Sequence, residues 1–305
     1  MLHLRLPRAS KLLGIVALLL VLALAGCGGG GSGSTGGPGK GINLIVGSKN
    51  DPDGQLLAQM YTLLLQKQGY NVTLKLALGQ SPVLVAAVKS GAVDIYPDFN
   101  GNAVFFGLPA SSDPHVTYSE INNYFQSHEN ATWLTPAYNL NDSYGICTSQ
   151  AVASKYHLTS LTDLAAVSNQ LTLAGQQDFA PILPPVAKAY GLSFKNTVST
   201  SEPLGFTAVA NGQADVNECY TTDPAIVVNH FVLLTDPQGA WGIYNPSPVV
   251  HTSTLQKSSA IATTLNPLAA KLTTAAQTAL IKQYAVDHTP LAVVAKTWLQ
   301  QQGLL

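Results

Sequence analysis

Residues 78–102 read LGQSPVLVAAVKSGAVDIYPDFNGN, and their reading decides the fold. Val83 to Lys89 has the apolar spacing of a helix, Gly91 closes it, and Val93 to Ile95 follows as a short apolar strand. The strand runs into Tyr96, Pro97 and Phe99 and then breaks on Asn100, Gly101 and Asn102. A buried strand needs no such ending, because Val, Ile or Leu pack as well and an Asn-Gly turn closes it. A ligand site at the carboxyl end of a strand uses both the rings and the small polar residues.

The same alternation extends on both sides. Ile42 to Gly47 (INLIVG) reads as a buried strand, Gln55 to Gln68 as an amphipathic helix closed by Gly69, and Val72 to Ala77 as the next strand. A second cycle opens near Tyr144. Tyr144 to Thr148 and Thr172 to Gly175 read as strands, Pro184 to Tyr190 as a helix stopped by Gly191, and Ala214 to Tyr220 as another strand. The tail from Ser259 to Trp298 is mostly helical, with Pro267 and Pro290 as helix starts. Short apolar strands separated by helices predict an α/β fold with parallel-rich sheets and ligands at their carboxyl edges.

The amino terminus bounds the compartment. Arg5, Arg8 and Lys11 precede an apolar run from Leu12 to Ala25, the order of a secretory signal, and that run is shorter than the roughly 20 residues of a membrane span. The ending LALAGC resembles a bacterial lipobox. It implies a signal over 1–26, lipidation at Cys27, and an extracytoplasmic protein anchored by lipid to the bacterial cell membrane. Residues 27–40, rich in Gly and Ser, are expected to form a flexible tether; no Gly-Lys-Ser/Thr ending makes them a phosphate loop.

Hydrophobic residues make up 46% of the chain and charged residues 10%, ample material for a core. Without the signal, 12 basic residues face 16 acidic ones, a formal charge of −4, which offers nucleic acid no electrostatic reason to bind. Both arginines lie in the signal, so any anion must be met by Lys, backbone amides or hydroxyls. Cys147 and Cys219 remain after Cys27, and in an oxidising compartment they are either a disulfide or two buried thiols.

GSKNDPDGQLL (47–57) and LGQSPVLVAAVKSGAVDIYPDFNGN (78–102) resemble the solute-binding proteins of glycine betaine, choline and carnitine ABC importers. That family's pattern is a GSKNFTEQ-like strand end followed by a TPVL...ALKSGEIDLYPEYTGT-like unit. The resemblance resumes at NDSYGICTS (141–149), ADVNECYTTDPAI (214–226) and WGIYNPSPVV (241–250), and so spans most of the chain. It implies a two-lobed, periplasmic-binding-protein-like clamp of type II. Lobe I would be 41–140 with 223–305, lobe II 141–222, and the ligand would lie between them across hinge crossings near 141 and 222. It also implies two protein partners, an ABC permease and its ATPase, with no cofactor.

A trimethylammonium head cannot donate N–H hydrogen bonds, so proteins hold it against aromatic faces. The family's aromatic box falls on Phe99, Tyr144, Tyr220 and Tyr244, while Tyr96 matches no cage position and is read as core. Phe99 stands where the family usually has Tyr. Lys49 and Gln55 match positions near the ligand, and Asn102 stands where a Thr is usual. Some betaine binders add an Arg, and here its place in DFAPI (178–182) is Ile182, which favours choline or another alcohol over a betaine. Asp178 and Asp223 either add negative potential for a cation or serve as solvated or capping residues. The changes at Phe99, Asn102 and Ile182 also motivate the alternative of the same clamp holding another small polar solute, an amino acid or a polyol.

An enzyme has little support in the sequence. The histidines show no HExxH or paired metal spacing, no GxSxG elbow is present, and DPDG (51–54) lacks the downstream Glu of a calcium loop and reads as a turn.

Overall fold

The computed structural model describes residues 37–305 apart from residue 110. The expected signal and Cys27 lie outside the described residues. Two five-stranded mixed sheets flanked by helices form the fold, and neither closes into a barrel.

The first sheet has the order β2-β1-β3-β10-β4, from β1 (Asn43–Gly47), β2 (Asn71–Lys75), β3 (Ile95–Phe99), β4 (Ala131–Trp133) and β10 (Pro246–His251). The second has the order β7-β6-β8-β5-β9, from β5 (Tyr144–Ser149), β6 (Thr172–Gly175), β7 (Asn196–Ser199), β8 (Val216–Tyr220) and β9 (Phe231–Leu233). In each sheet three neighbouring strands run parallel and the next two alternate in direction. The sheets therefore repeat one topology, and the carboxyl ends of β1, β3, β6 and β8 form the edges where such sheets bind ligands.

Helices α1 (Pro52–Lys67), α2 (Ser81–Ser90) and α3 (Pro114–His128) follow the strands of the first sheet. Those of the second are α4 (Gln150–Tyr156), α5 (Leu161–Ala165), α6 (Leu183–Tyr190), α7 (Glu202–Ala210) and α8 (Pro224–Val228). The tail is α9 (Thr252–Lys257), α10 (Ala260–Ala269), α11 (Thr274–Ile281) and α12 (Leu291–Gln301). It packs back on the first lobe, where α10, α11 and α12 all lie against α1, whose Leu57 and Leu64 are buried in one cluster with Leu44, Val46, Val294 and Leu299. Among the described residues no helix is long and apolar enough to cross a membrane.

Four expectations change. DPDG is the start of α1 rather than a free turn, because Asp51 accepts a hydrogen bond from the Gly54 amide (2.6 Å) and Pro52 sits in the first turn, where its missing N–H is no loss. Pro267 lies inside α10 and starts no helix. The tether ends before residue 40, since the Gly39 amide donates to Gln68 O (3.0 Å) and a Cβ at Gly39 would meet the Tyr70 ring at 2.4 Å. The chain does not return to the first sheet near residue 222: α8 leads into β9, which pairs with β5 (Cys147 opposite Leu233). The return comes at residues 244 and 245, where Tyr244 O accepts from the Asp142 amide (3.0 Å) and the Asn245 amide donates to Asn100 Oδ1 (2.7 Å). The two crossings thus run side by side.

Candidate functional site

Strand β3 explains how the opening stretch reaches the site. All five of its residues are buried; β1 pairs with it only at Val46 opposite Ile95 and ends at Gly47, so Pro97 withdraws no bond from β1, while β10 pairs with β3 along its whole length. Tyr96 turns into the core, fully buried, and its hydroxyl donates to Asp98 (3.0 Å). Phe99 and Asn102 turn to the other side. They line a cavity of about 390 Å³ between the two sheets.

The cavity draws walls from both lobes. From the first come Lys49, Asp53, Ser81, Phe99, Asn102 and Tyr244, from the second Tyr144, Gln176, Asp178, Ser201 and Tyr220, with Asp142 on the crossing. Tyr144 is the hub of the rings. Its centroid lies 4.8 Å from that of Tyr220 and 5.4 Å from that of Tyr244, the latter at an interplanar angle of 79°. Adjacent, nearly perpendicular faces make the inner corner of a box, the arrangement that lets several π faces meet one diffuse cation. Phe179, 5.7 Å from Tyr144, backs the corner from behind.

Two expected ligand residues are already engaged within the chain, Lys49 inside the cavity and Gln55 outside it. Lys49 Nζ lies 4.8 Å over the Phe99 ring and 3.3 Å from Asp98, so the face of Phe99 already carries an ammonium of this chain. Asp98 also accepts from Asn102 Nδ2 (2.7 Å) and its neighbour's amide (2.9 Å), which satisfies a charge placed deep in the fold. Burial works against the Lys49 charge, but Asp98, Asp51 and Asp142 outweigh it and raise its pKa. Gln55 does not line the cavity: its side chain donates to Asn50 O (2.8 Å) and accepts from the Tyr284 hydroxyl (2.9 Å). The reason is spacing. The Gln of GSKNFTEQ is the eighth residue from the Gly, Gln55 is the ninth, and one residue turns a helical side chain by about 100°.

The acids around the site were not legible as a group. Asp53, at the Glu place of that pattern, is buried in the first turn of α1, where Gln277 Nε2 donates to it (3.0 Å). Burial pushes its carboxyl well above the usual range, and Asp142 and Asp51 add to this. Burial likewise pushes Asp142 up to about 7, against the donated hydroxyl of Thr222. Glu218, beneath Tyr220, is raised by burial to about 7 although Gln176 donates to it twice (2.7 and 3.0 Å). Asp178 lines the cavity, whereas Asp223 accepts from the Tyr220 amide (2.8 Å) and so braces a ring. Ile182 is buried and does not line the cavity, which leaves no arginine there.

Cys147 and Cys219 form a disulfide between β5 and β8. Tyr144 and Tyr220 face each other in register at the cleft end of the same strand pair.

A family model described as the substrate binding domain of ABC-type glycine betaine transport system matches residues 42–301. The glycine betaine-binding protein YehZ of Escherichia coli is 34% identical over 275 residues, which cover 85% of this chain and 90% of that protein. The carnitine transport binding protein OpuCC of Listeria monocytogenes is 26% identical over 266 residues, covering 85% and 86%. Among solved structures, apo YehZ from Escherichia coli aligns with a TM-score of 0.66 at 31% identity, over 87% of this chain and 99% of that one. A glycine betaine/carnitine/choline ABC transporter structure aligns with a TM-score of 0.71 at 22% identity, over 86% and 99%, and shares the fold. The family model spans most of the sequence and the first relative matches along nearly its whole length, so the chain belongs to the family of substrate-binding domains of ABC-type glycine betaine transport systems.

Proposed function

We propose that this chain is an extracytoplasmic lipoprotein, anchored at Cys27, that captures a quaternary ammonium solute between its lobes and delivers it to the permease and ATPase of an importer. The observation that carries the reading is the corner of Tyr144, Tyr220 and Tyr244, contributed by both lobes and facing a cavity with more acids than bases. Relatives named for glycine betaine and carnitine, and a choline-binding protein among the structures of the same fold, point to the same head group. In this reading the solute's cation rests against the tyrosines, Phe99 closes the far wall with Lys49 on its face, and Asn102 and Ser81 meet the polar end.

Tyr220→Ala is expected to weaken choline binding by about 1–2 kcal/mol, since its ring adds one face to a partly desolvated cation. Calorimetry with choline, glycine betaine, carnitine and proline betaine tests both levels. No binding to any of the four would sink the function, and unchanged affinity in the variant would remove Tyr220 from the cage. A polyol or amino acid is the second reading, favoured by Ser81, which is buried at the cavity wall at 8% exposure, and by Gln80 and Ser201 beside it. A thermal-shift screen that ranks such a solute above every quaternary amine would select it.

A further inference from the structure

Two buried carboxyl groups in the cavity wall have neutral partners only in their hydrogen bonds. Asp53 and Asp142 are 8% and 6% exposed, and both line the cavity. Asp53 is held by the Gln277 amide and Asp142 by the Thr222 hydroxyl. Both partners serve either protonation state. A hydroxyl donates to a carboxylate and accepts from a carboxylic acid, and an amide does the same after a half-turn. Gln277 Oε1, the acceptor that a half-turn would present, is itself buried without a partner. The cavity's lysine, Lys49, is bound to Asp98.

We propose that Asp53 and Asp142 are the specificity-determining acids of this cleft: they hold a proton between them while it is empty and lose it when a net cation enters, so that quaternary ammonium alcohols bind in preference to zwitterions. The inference rests on the function proposed above. The charged groups facing the pair are Asp51 at the cap of α1, Asp223 at the cap of α8, and Lys49 beyond β1, while α11 contributes the neutral Gln277. Acids outnumber the one base, and burial together with these neighbours holds both carboxyls above their ordinary range.

The sign follows from linkage. A trimethylammonium group favours the ionised carboxylates and lowers their pKa, so the bound state carries fewer protons than the empty one and affinity rises with pH. A zwitterion brings its own carboxylate into the cleft. Attraction and repulsion then offset, and pH matters less.

The test is calorimetry of the intact protein with choline and with glycine betaine between about pH 5.5 and 7.5, in two buffers of different ionisation enthalpy. Below about pH 7 choline affinity is expected to fall by up to about tenfold per pH unit with up to one proton released per choline, while glycine betaine changes by less than about threefold over the range. Asp142→Asn should flatten the choline profile and weaken choline more than glycine betaine at the upper pH. Choline binding with a flat profile and no proton release would overturn the acid pair and leave the proposed function standing. Equal pH slopes for the two solutes would overturn the selectivity. Binding of neither solute at any pH would overturn the function and the inference with it.

Discussion

Gly101→Ala is expected to destabilise the protein by about 1–3 kcal/mol through overpacking, and to weaken quaternary ammonium binding further than truncating any single ring. A Cβ on Gly101 would fall 2.4 Å from Cγ of Tyr244 and 2.5 Å from both Cδ atoms. These are the root of the ring rather than the end of a flexible chain. Neither side can step back. The Tyr244 amide donates to Asn141 Oδ1 (2.8 Å), and Tyr244 O accepts from the Asp142 amide. On the other side the Asn100 amide donates to Asn245 O (3.0 Å) while Asn100 Oδ1 accepts from the Asn245 amide (2.7 Å). With both backbones pinned, the Tyr244 ring must rotate, and its perpendicular contact with Tyr144 is lost together with the corner of the box. Glycine is required at 101 for space, since its backbone lies outside the left-handed region. Thermal melting and choline calorimetry of the variant check this. A wild-type melting point with wild-type affinity would show that Tyr244 is not the wall the geometry makes it.

Residues 78–102 illustrate what was legible and what was not. Apolar spacing and Gly91 located α2, and the aromatic, polar ending of β3 does lie at a cavity, where the strand reaches the carboxyl edge of its sheet. Strands β4, β7, β9 and β10 escaped notice through length, exposure or composition. Strand β10 opens Pro246-Ser247-Pro248, β4 is three residues long, and every residue of β7 is exposed, so no apolar alternation marks it. Helix α7 carries a Pro and a Gly in nine residues. At the site, Phe99 stood out at the end of its strand, and Tyr144, Tyr220 and Tyr244 were legible only through the family resemblance. The acids did not, because an isolated Asp in a sequence is more often solvated or capping, and only the fold buries Asp53 and Asp142 against one cavity. Gln55 stands outside the cavity for a plainer reason, a single helical step.

Removing the Cys147–Cys219 bridge should destabilise the protein by about 2–5 kcal/mol. The cysteines are 72 residues apart, and the closed loop contains β6, β7 and the helices α4 to α7, most of the second lobe. In the chain-entropy account a loop of that length restricts the unfolded ensemble by about 4 kcal/mol. The effect should reach the site as well. Tyr144 precedes Cys147 by three residues and Tyr220 follows Cys219 directly, so fraying of β5 from β8 separates the two rings that meet at 4.8 Å. Both sulfurs are fully buried, so a reductant reaches the bond only through opened molecules, and the rate of loss under reducing conditions will follow opening rather than thiol chemistry. A Cys147→Ala/Cys219→Ala double variant avoids that kinetic barrier. Its unfolding free energy from urea titration, extrapolated with its own m-value and compared with that of the oxidised protein, measures the contribution, since freeing the unfolded chain also changes m. A shift worth less than about 1 kcal/mol would mean that the strand pairing of β5 with β8 holds the lobe without the bridge, and that an oxidising compartment is not needed for its stability.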